Sequence, residues 1–326
     1  MYRSILVPLD GSTFGEHALP LAWEIARRTG ASLKLLHVIP PFPVIDAGGP
    51  LLADADLTAH FQGQARAYLE GLLQRLGGVA DVAVTPTVLE GEVVSQVKDF
   101  AARAEVDLVV MATHGRGPLA RFWLGSVADE LVRQLPLPLL LVRPREKPPD
   151  PRGGPDLGRV LLPLDGSPLA ERALEPAVAL GGAGATYTLL RVVKPALLPA
   201  YAPEGRSLER EAKGLLDQIE ALQQRLLAEA EEYLAGVAGR LRAQGLQVQT
   251  RVAVEEQPAV AILREAADAR AGLIALGTHG RRGLARLFLG SVADKVVRGA
   301  AVPVLVHRCL KTGTPGSRKG ATPASR

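Results

Sequence analysis

The chain repeats itself, and that repeat restricts its possible folds more than any other feature. Leu6-Val7-Pro8-Leu9-Asp10-Gly11-Ser12 returns as Leu161-Leu162-Pro163-Leu164-Asp165-Gly166-Ser167, an offset of 155 residues. A longer segment runs from Thr113-His114-Gly115-Arg116 through Leu124-Gly125-Ser126-Val127-Ala128-Asp129 to Val132-Arg133. It returns as Thr278-His279-Gly280-Arg281 through Leu289-Gly290-Ser291-Val292-Ala293-Asp294 to Val297-Arg298, now at an offset of 165. The second copy therefore spends ten more residues between the motifs, and its polar helical stretch from about Glu204 to Gln244 accounts for them. A period this long is a whole domain rather than a solenoid unit. The length of 326 residues agrees, since it exceeds what one hydrophobic core ordinarily serves.

Composition places the boundaries. Between the copies, Pro144 to Pro155 is dense in proline, glycine and charge, which sustains no packed element. The expected arrangement is a first domain over 1–143, a linker over 144–158, a second domain over 159–307 and a polar, basic, disordered tail over 308–326. A hydrophobic share of 47% against 22% charged residues suits a globular interior, filled here by Leu, Val and Ala because aromatics make up only 4%. The net charge of +4 is small and scattered, which argues against a nucleic-acid partner. No apolar run approaches the roughly 20 residues that span a bilayer, and the run into Ser4-Ile5-Leu6-Val7 leads us to expect no signal peptide. With a single cysteine, Cys309, the expected compartment is a reducing cytoplasm.

Each copy opens on a short apolar strand, Ser4 to Leu9 or Arg159 to Leu164, stopped by Asp-Gly-Ser and followed by a helix. Further apolar strands fall at Leu33 to Ile39, Val82 to Leu89, Leu108 to Ala112 and Leu139 to Val142, with amphipathic helices between them. Continuously apolar strands alternating with such helices predict a mainly parallel sheet of about five strands covered on both faces, a doubly wound, Rossmann-like α/β domain used twice. Ligands bind such sheets beyond the carboxyl ends of the strands, where neighbouring connections diverge. Both repeated motifs belong there.

In the second copy Gly277-Thr278-His279-Gly280 is followed after nine residues by Gly290-Ser291. Glycines let backbone amides approach a phosphate, and Ser291 with Asp294 three residues on reads as a capping box at a helix whose free N–H groups and positive dipole end attract anions. One such spacing alone would equally be a set of tight turns. Here it occurs twice, each time between an apolar strand and a helix, in a domain opening with Pro-Leu-Asp-Gly-Ser. In these motifs the chain resembles the universal stress protein family, whose nucleotide-binding members carry Gly-x2-Gly-x9-Gly-(Ser/Thr), and the resemblance covers both domains.

The resemblance implies an adenine-nucleotide-alpha-hydrolase-like fold and ATP, accompanied by the Mg²⁺ that ATP ordinarily carries. It implies Asp10 and Asp165 beside ribose and phosphates, with Pro8 and Pro163 on the same strands, and Val38 and Val192 offering backbone to the adenine. It implies phosphate contacts from Ala112, Gly115, Gly125, Ser126 and Val127 in the first domain, and from Gly277, Gly280, Gly290, Ser291 and Val292 in the second, with charge added by Arg116 and Arg281. Ala112 departs from the pattern, placing a methyl group where glycine is expected, so the second site is expected to be the more secure. The resemblance also implies pairing through the last strands, Leu139 to Val142 and Val304 to His307, within the chain and then between two chains as a homodimer.

The remaining candidates carry less. His114 and His279 lack a repeated carboxylate partner and read as turn residues rather than acids or bases. Asp10, Asp165, Ser12 and Ser167 also suit helix capping. Leu208, Leu215, Ile219, Leu222 and Leu226 form an apolar stripe for packing or a partner. There is no Gly-x4-Gly-Lys-(Ser/Thr) loop, no zinc cluster and no Gly-x-Ser-x-Gly elbow. A nucleotide-dependent stress or signalling protein is expected, with at most slow ATP hydrolysis; a nucleotide-free dimerising scaffold is the alternative.

Overall fold

A computed structural model describes residues 1–41, 55–76, 81–113, 124–144, 156–196, 208–279 and 289–309. In the first half, strands β1 (Ser4–Leu9), β2 (Ser32–Ile39), β3 (Val84–Glu90), β4 (Leu108–Ala112) and β5 (Leu139–Val142) alternate with helices α1 (Leu19–Thr29), α2 (Ala55–Leu76), α3 (Val93–Arg103) and α4 (Ser126–Gln134). A 3-10 turn, Gly15–Ala18, precedes α1. The second half repeats the order with β6 (Arg159–Pro163), α5 (Pro168–Glu171), α6 (Leu174–Gly181), β7 (Thr186–Val193), α7 (Leu208–Arg242), β8 (Gln247–Val254), α8 (Pro258–Asp268), β9 (Leu273–His279), α9 (Ser291–Gly299) and β10 (Val304–Cys309).

All ten strands join one sheet in the order β3-β2-β1-β4-β5-β10-β9-β6-β7-β8. Within each half every pairing is parallel. The exception is the junction, where β5 and β10 run antiparallel with Leu141 opposite Val304 and Leu139 opposite Val306. The strands of the two halves therefore point in opposite directions, and their carboxyl ends lie on opposite edges of the sheet.

The central strands β1, β4, β5, β6, β9 and β10 are buried almost throughout because both faces are covered, which is why they read as unbroken apolar runs. One apolar cluster lies under α1, α2, α6 and α7 and the other under α3, α4, α8 and α9, and each draws residues from both halves. Across the junction the Tyr2 hydroxyl donates to the Pro176 carbonyl at 3.1 Å, and Arg28 donates to that of Leu180.

Helix boundaries follow local chemistry. α1 stops at Gly30, which takes the left-handed conformation at φ 70°. The main departure from symmetry is α7, which has 35 residues where α2 has 22. Its last turns pack on the sheet through Ala230, Leu234, Val237 and Leu241, the counterparts of Ala65, Leu69, Leu72 and Leu76. Its earlier turns carry Leu216 and Leu222 exposed at 54% and 39%. No helix among the described residues is long and apolar enough to cross a membrane.

Candidate functional site

The chain leaves β1 toward β2 and β3 on one side, then returns to β4 on the other, so the connections diverge between β1 and β4. The same divergence falls between β6 and β9. These two switch points are where a doubly wound sheet opens a crevice.

The expected residues gather at those points. Pro8 and Asp10 lie at the end of β1, Val38 near the end of β2, Ala112 at the end of β4, and Gly125, Ser126 and Val127 at the start of α4. Pro163, Asp165, Val192, Gly277, Gly290, Ser291 and Val292 take the matching places around β6, β7, β9 and α9. Gly115, Arg116, Gly280, Arg281 and His114 lie outside the described residues.

Both aspartates build their loops. Asp10 Oδ1 accepts from the Ser12 amide at 3.0 Å and the Ser12 hydroxyl at 2.7 Å, and Asp165 Oδ1 accepts from the Ser167 amide at 2.9 Å. Such a turn holds the chain locally through a side chain. Ser167 then caps α5 by accepting from the Ala170 amide at 3.2 Å, and Ser12 accepts likewise from the Gly15 amide. Asp10 is half-buried and Asp165 exposed.

The first glycine segment is tied back to the sheet. The Thr113 amide donates to the Val142 carbonyl at 2.8 Å, and the Gly125 amide donates to the Thr113 carbonyl at 2.8 Å, which brings the end of the loop against its start. α4 and α9 each begin on a glycine, and no side chain among the described residues caps either. A helix start leaves its first-turn amides without intrahelical partners, which is the feature an anion site uses.

One expectation needs correction. The capping box at α9 does not form: Gly290 rather than Ser291 is the N-cap, and the Asp294 carboxylate pairs instead with Arg298 Nε at 2.8 Å, one turn on. In the first half Asp129 pairs with Arg133 in the same way. The contrast between Ala112 and Gly277 also has another cause. Gly277 has no positive φ. A Cβ there would stand 2.9 Å from Ala170 Cα and overlap the Leu169 carbonyl oxygen, so glycine is required by the close approach of α5. The first half exchanges the pair, with Ala112 on the strand and Gly15 where the second has Ala170. The real backbone difference lies further on, where Gly290 has φ 97° and Gly125 has φ −58°.

A duplicated polar network escaped the sequence reading. The Tyr233 hydroxyl donates to Glu171 Oε1 at 3.0 Å, and Glu171 pairs with Arg240. Glu16 and Arg75 pair at 2.9 Å in the first half, beside Tyr68. Burial and the neighbouring glutamate push both tyrosine hydroxyls well above their ordinary value. Glu16 recurs at an offset of 155, and Tyr68 and Arg75 at 165. That double match was the available signal.

A cleft of about 460 Å³ lies elsewhere, at the amino ends of β6 and β7 between Arg159, Thr188, Arg251 and Glu265. It is a polar groove on the sheet edge opposite the second crevice, and its place in the topology gives it no part in that site.

Comparison with known proteins decides the family. The model of the universal stress protein family matches residues 1–143 and again 157–308. The chain belongs to that family. It is 36% identical to a universal stress protein of Mycobacterium tuberculosis over 316 residues, covering 94% of this chain and 97% of the relative. A second universal stress protein of the same organism is 26% identical over 317 residues, covering 93% of this chain and 94% of the relative. Among solved structures, a universal stress protein from Archaeoglobus fulgidus superposes with a TM-score of 0.62 at 20% identity, covering 94% of this chain and 98% of that one. A functionally unknown protein from Pseudomonas aeruginosa does so with a TM-score of 0.58 at 19% identity, covering 94% and 92%. These two likenesses bear on fold alone: two universal stress protein units in tandem, each a doubly wound α/β domain.

Proposed function

We propose that this tandem universal stress protein binds ATP in the crevice at each switch point and acts as a nucleotide-dependent stress or signalling protein rather than an efficient catalyst. The observation that carries the reading is the convergence, twice, of an Asp-Gly-Ser turn and a glycine-led helix that no described side chain caps, at the carboxyl ends of each half's strands. Turn carboxylates suit ribose hydroxyls, and the amides and positive end of a helix start suit phosphates. Mg²⁺ would arrive with the triphosphate; the described residues hold no cluster of three His, Cys, Asp or Glu side chains to bind it apart.

The same proposal treats 1–143 and 159–307 as the functional units, with 144–158 as spacer and 308–326 as tail. It takes the antiparallel β5–β10 seam as the way the units pair in solution, and association of two chains as a homodimer in the cytoplasm as a further step. Because the crevices open on opposite edges of the sheet, the two nucleotides would bind without competing for space. Thermal unfolding with increasing ATP tests the binding: a ligand at about 100 times its Kd stabilises by about 2.7 kcal/mol. An unmoved melting temperature at millimolar ATP would favour the nucleotide-free scaffold.

A further inference from the structure

The second crevice has a feature that the first builds differently. Arg191, the sixth residue of β7, lies with its guanidinium carbon 5.9 Å from the centre of the Tyr233 ring. Its Nη1 donates to the Leu164 carbonyl at 3.3 Å. A Cβ on Gly166 would stand 3.1 Å from that nitrogen and 3.4 Å from the guanidinium carbon, so the guanidinium lies close against the loop carrying Asp165. Gly166 adopts φ 82°, a conformation the loop needs and only glycine takes without strain.

The platform beneath is itself fixed. Tyr233 is held by Glu171, Glu171 by Arg240, and Glu171 ends the short helix into which the Asp165 loop runs. The loop, β7 and α7 thus meet at the Arg191 guanidinium, and α5 joins them through the Glu171–Tyr233 hydrogen bond. The first half repeats tyrosine, glutamate and arginine but places His37 where Arg191 stands, its ring 5.9 Å from Tyr68 and edge-on. An arginine stays charged and presents a rigid plane of donors, which an imidazole does not.

We infer that Arg191 is a positioning residue of the second crevice: it holds the Leu164 to Ser167 loop from below in its nucleotide-binding shape, so that the second site binds more tightly than the first. This rests on the reading of the crevices as ATP sites. The test titrates ATP calorimetrically at 25 °C into full-length chain carrying Gly125→Val, which leaves the second crevice intact, with Arg191, Arg191→Lys or Arg191→Ala. The alanine variant should bind about tenfold more weakly, the loss of roughly one charge-assisted hydrogen bond, and the lysine variant should recover part of it. In a Gly290→Val background, which reports the first crevice, Arg191→Ala should leave affinity unchanged. A merely structural Arg191 would lower the melting temperature yet leave the second-site Kd within twofold, and that overturns the inference; should the alanine chain not fold, the lysine chain at the parent Kd does the same. A Gly125→Val parent that binds no ATP overturns the ATP reading of this crevice with it.

Discussion

Gly277 on β9 packs against the main chain of Ala170 on α5, so closely that a Cβ on the glycine would stand 2.9 Å from Ala170 Cα. Both partners are backbone and cannot rotate away. Gly277→Ala should therefore destabilise by about 1–3 kcal/mol through overpacking, seen as a lowered melting temperature. Ala112→Gly should bring no gain in ATP affinity, because the methyl group answers to packing rather than to ligand approach. Tighter ATP binding by Ala112→Gly would contradict this.

Gly290 and Gly125 start equivalent helices with different backbones. Only Gly290, at φ 97°, lies where an L side chain is strained. Gly290→Ala should cost about 1–3 kcal/mol of backbone strain, and Gly125→Ala none of that kind. Calorimetric unfolding of the two single variants compares them directly; equal losses would contradict the assignment.

The glutamate-tyrosine-arginine networks join α2 and α7 to the segments that follow β1 and β6. Tyr233→Phe removes the donor to Glu171 and should cost about 1–2 kcal/mol, the penalty for an unsatisfied partly buried acceptor. A double-mutant cycle with Glu171→Gln should show coupling, since the two share one hydrogen bond. Tyr2, Tyr68 and Tyr233 are all held above the ordinary tyrosine range, chiefly by burial. Spectrophotometric titration should find them un-ionised at pH 10, where free tyrosine is about half titrated.

His307 stands on β10 where the first half has Val142, and burial, followed by the nearby Arg172, holds its pKa below the ordinary value. The sign follows directly. The unfolded imidazole takes a proton near pH 6.5 while the folded one resists, so stability is full above pH 6.5 and falls as pH drops through the folded value. His307→Val should flatten the acid limb of a melting-temperature profile between about pH 4 and 7. An unchanged limb would exclude His307 as its source.

The fold was legible because the chain states it twice. Two offsets, 155 and 165, gave the domains, and unbroken apolar strands gave the parallel sheet. What stayed hidden depends on long-range geometry. The role of Gly277 is set by how closely α5 approaches β9, and no local pattern encodes that distance. The Tyr233, Glu171 and Arg240 network joins residues 62 or more apart in sequence. The capping box failed because Asp294 had a nearer partner in Arg298, one helical turn away.

Calorimetric titration of ATP into the full-length chain counts the occupied crevices and ranks their strength. Two crevices of unequal strength predict two ATP bound per chain, resolved as a tighter and a weaker event, with Gly290→Val abolishing the tighter and Gly125→Val the weaker. Absence of binding at millimolar ATP would contradict the account, as would a single event that survives both substitutions.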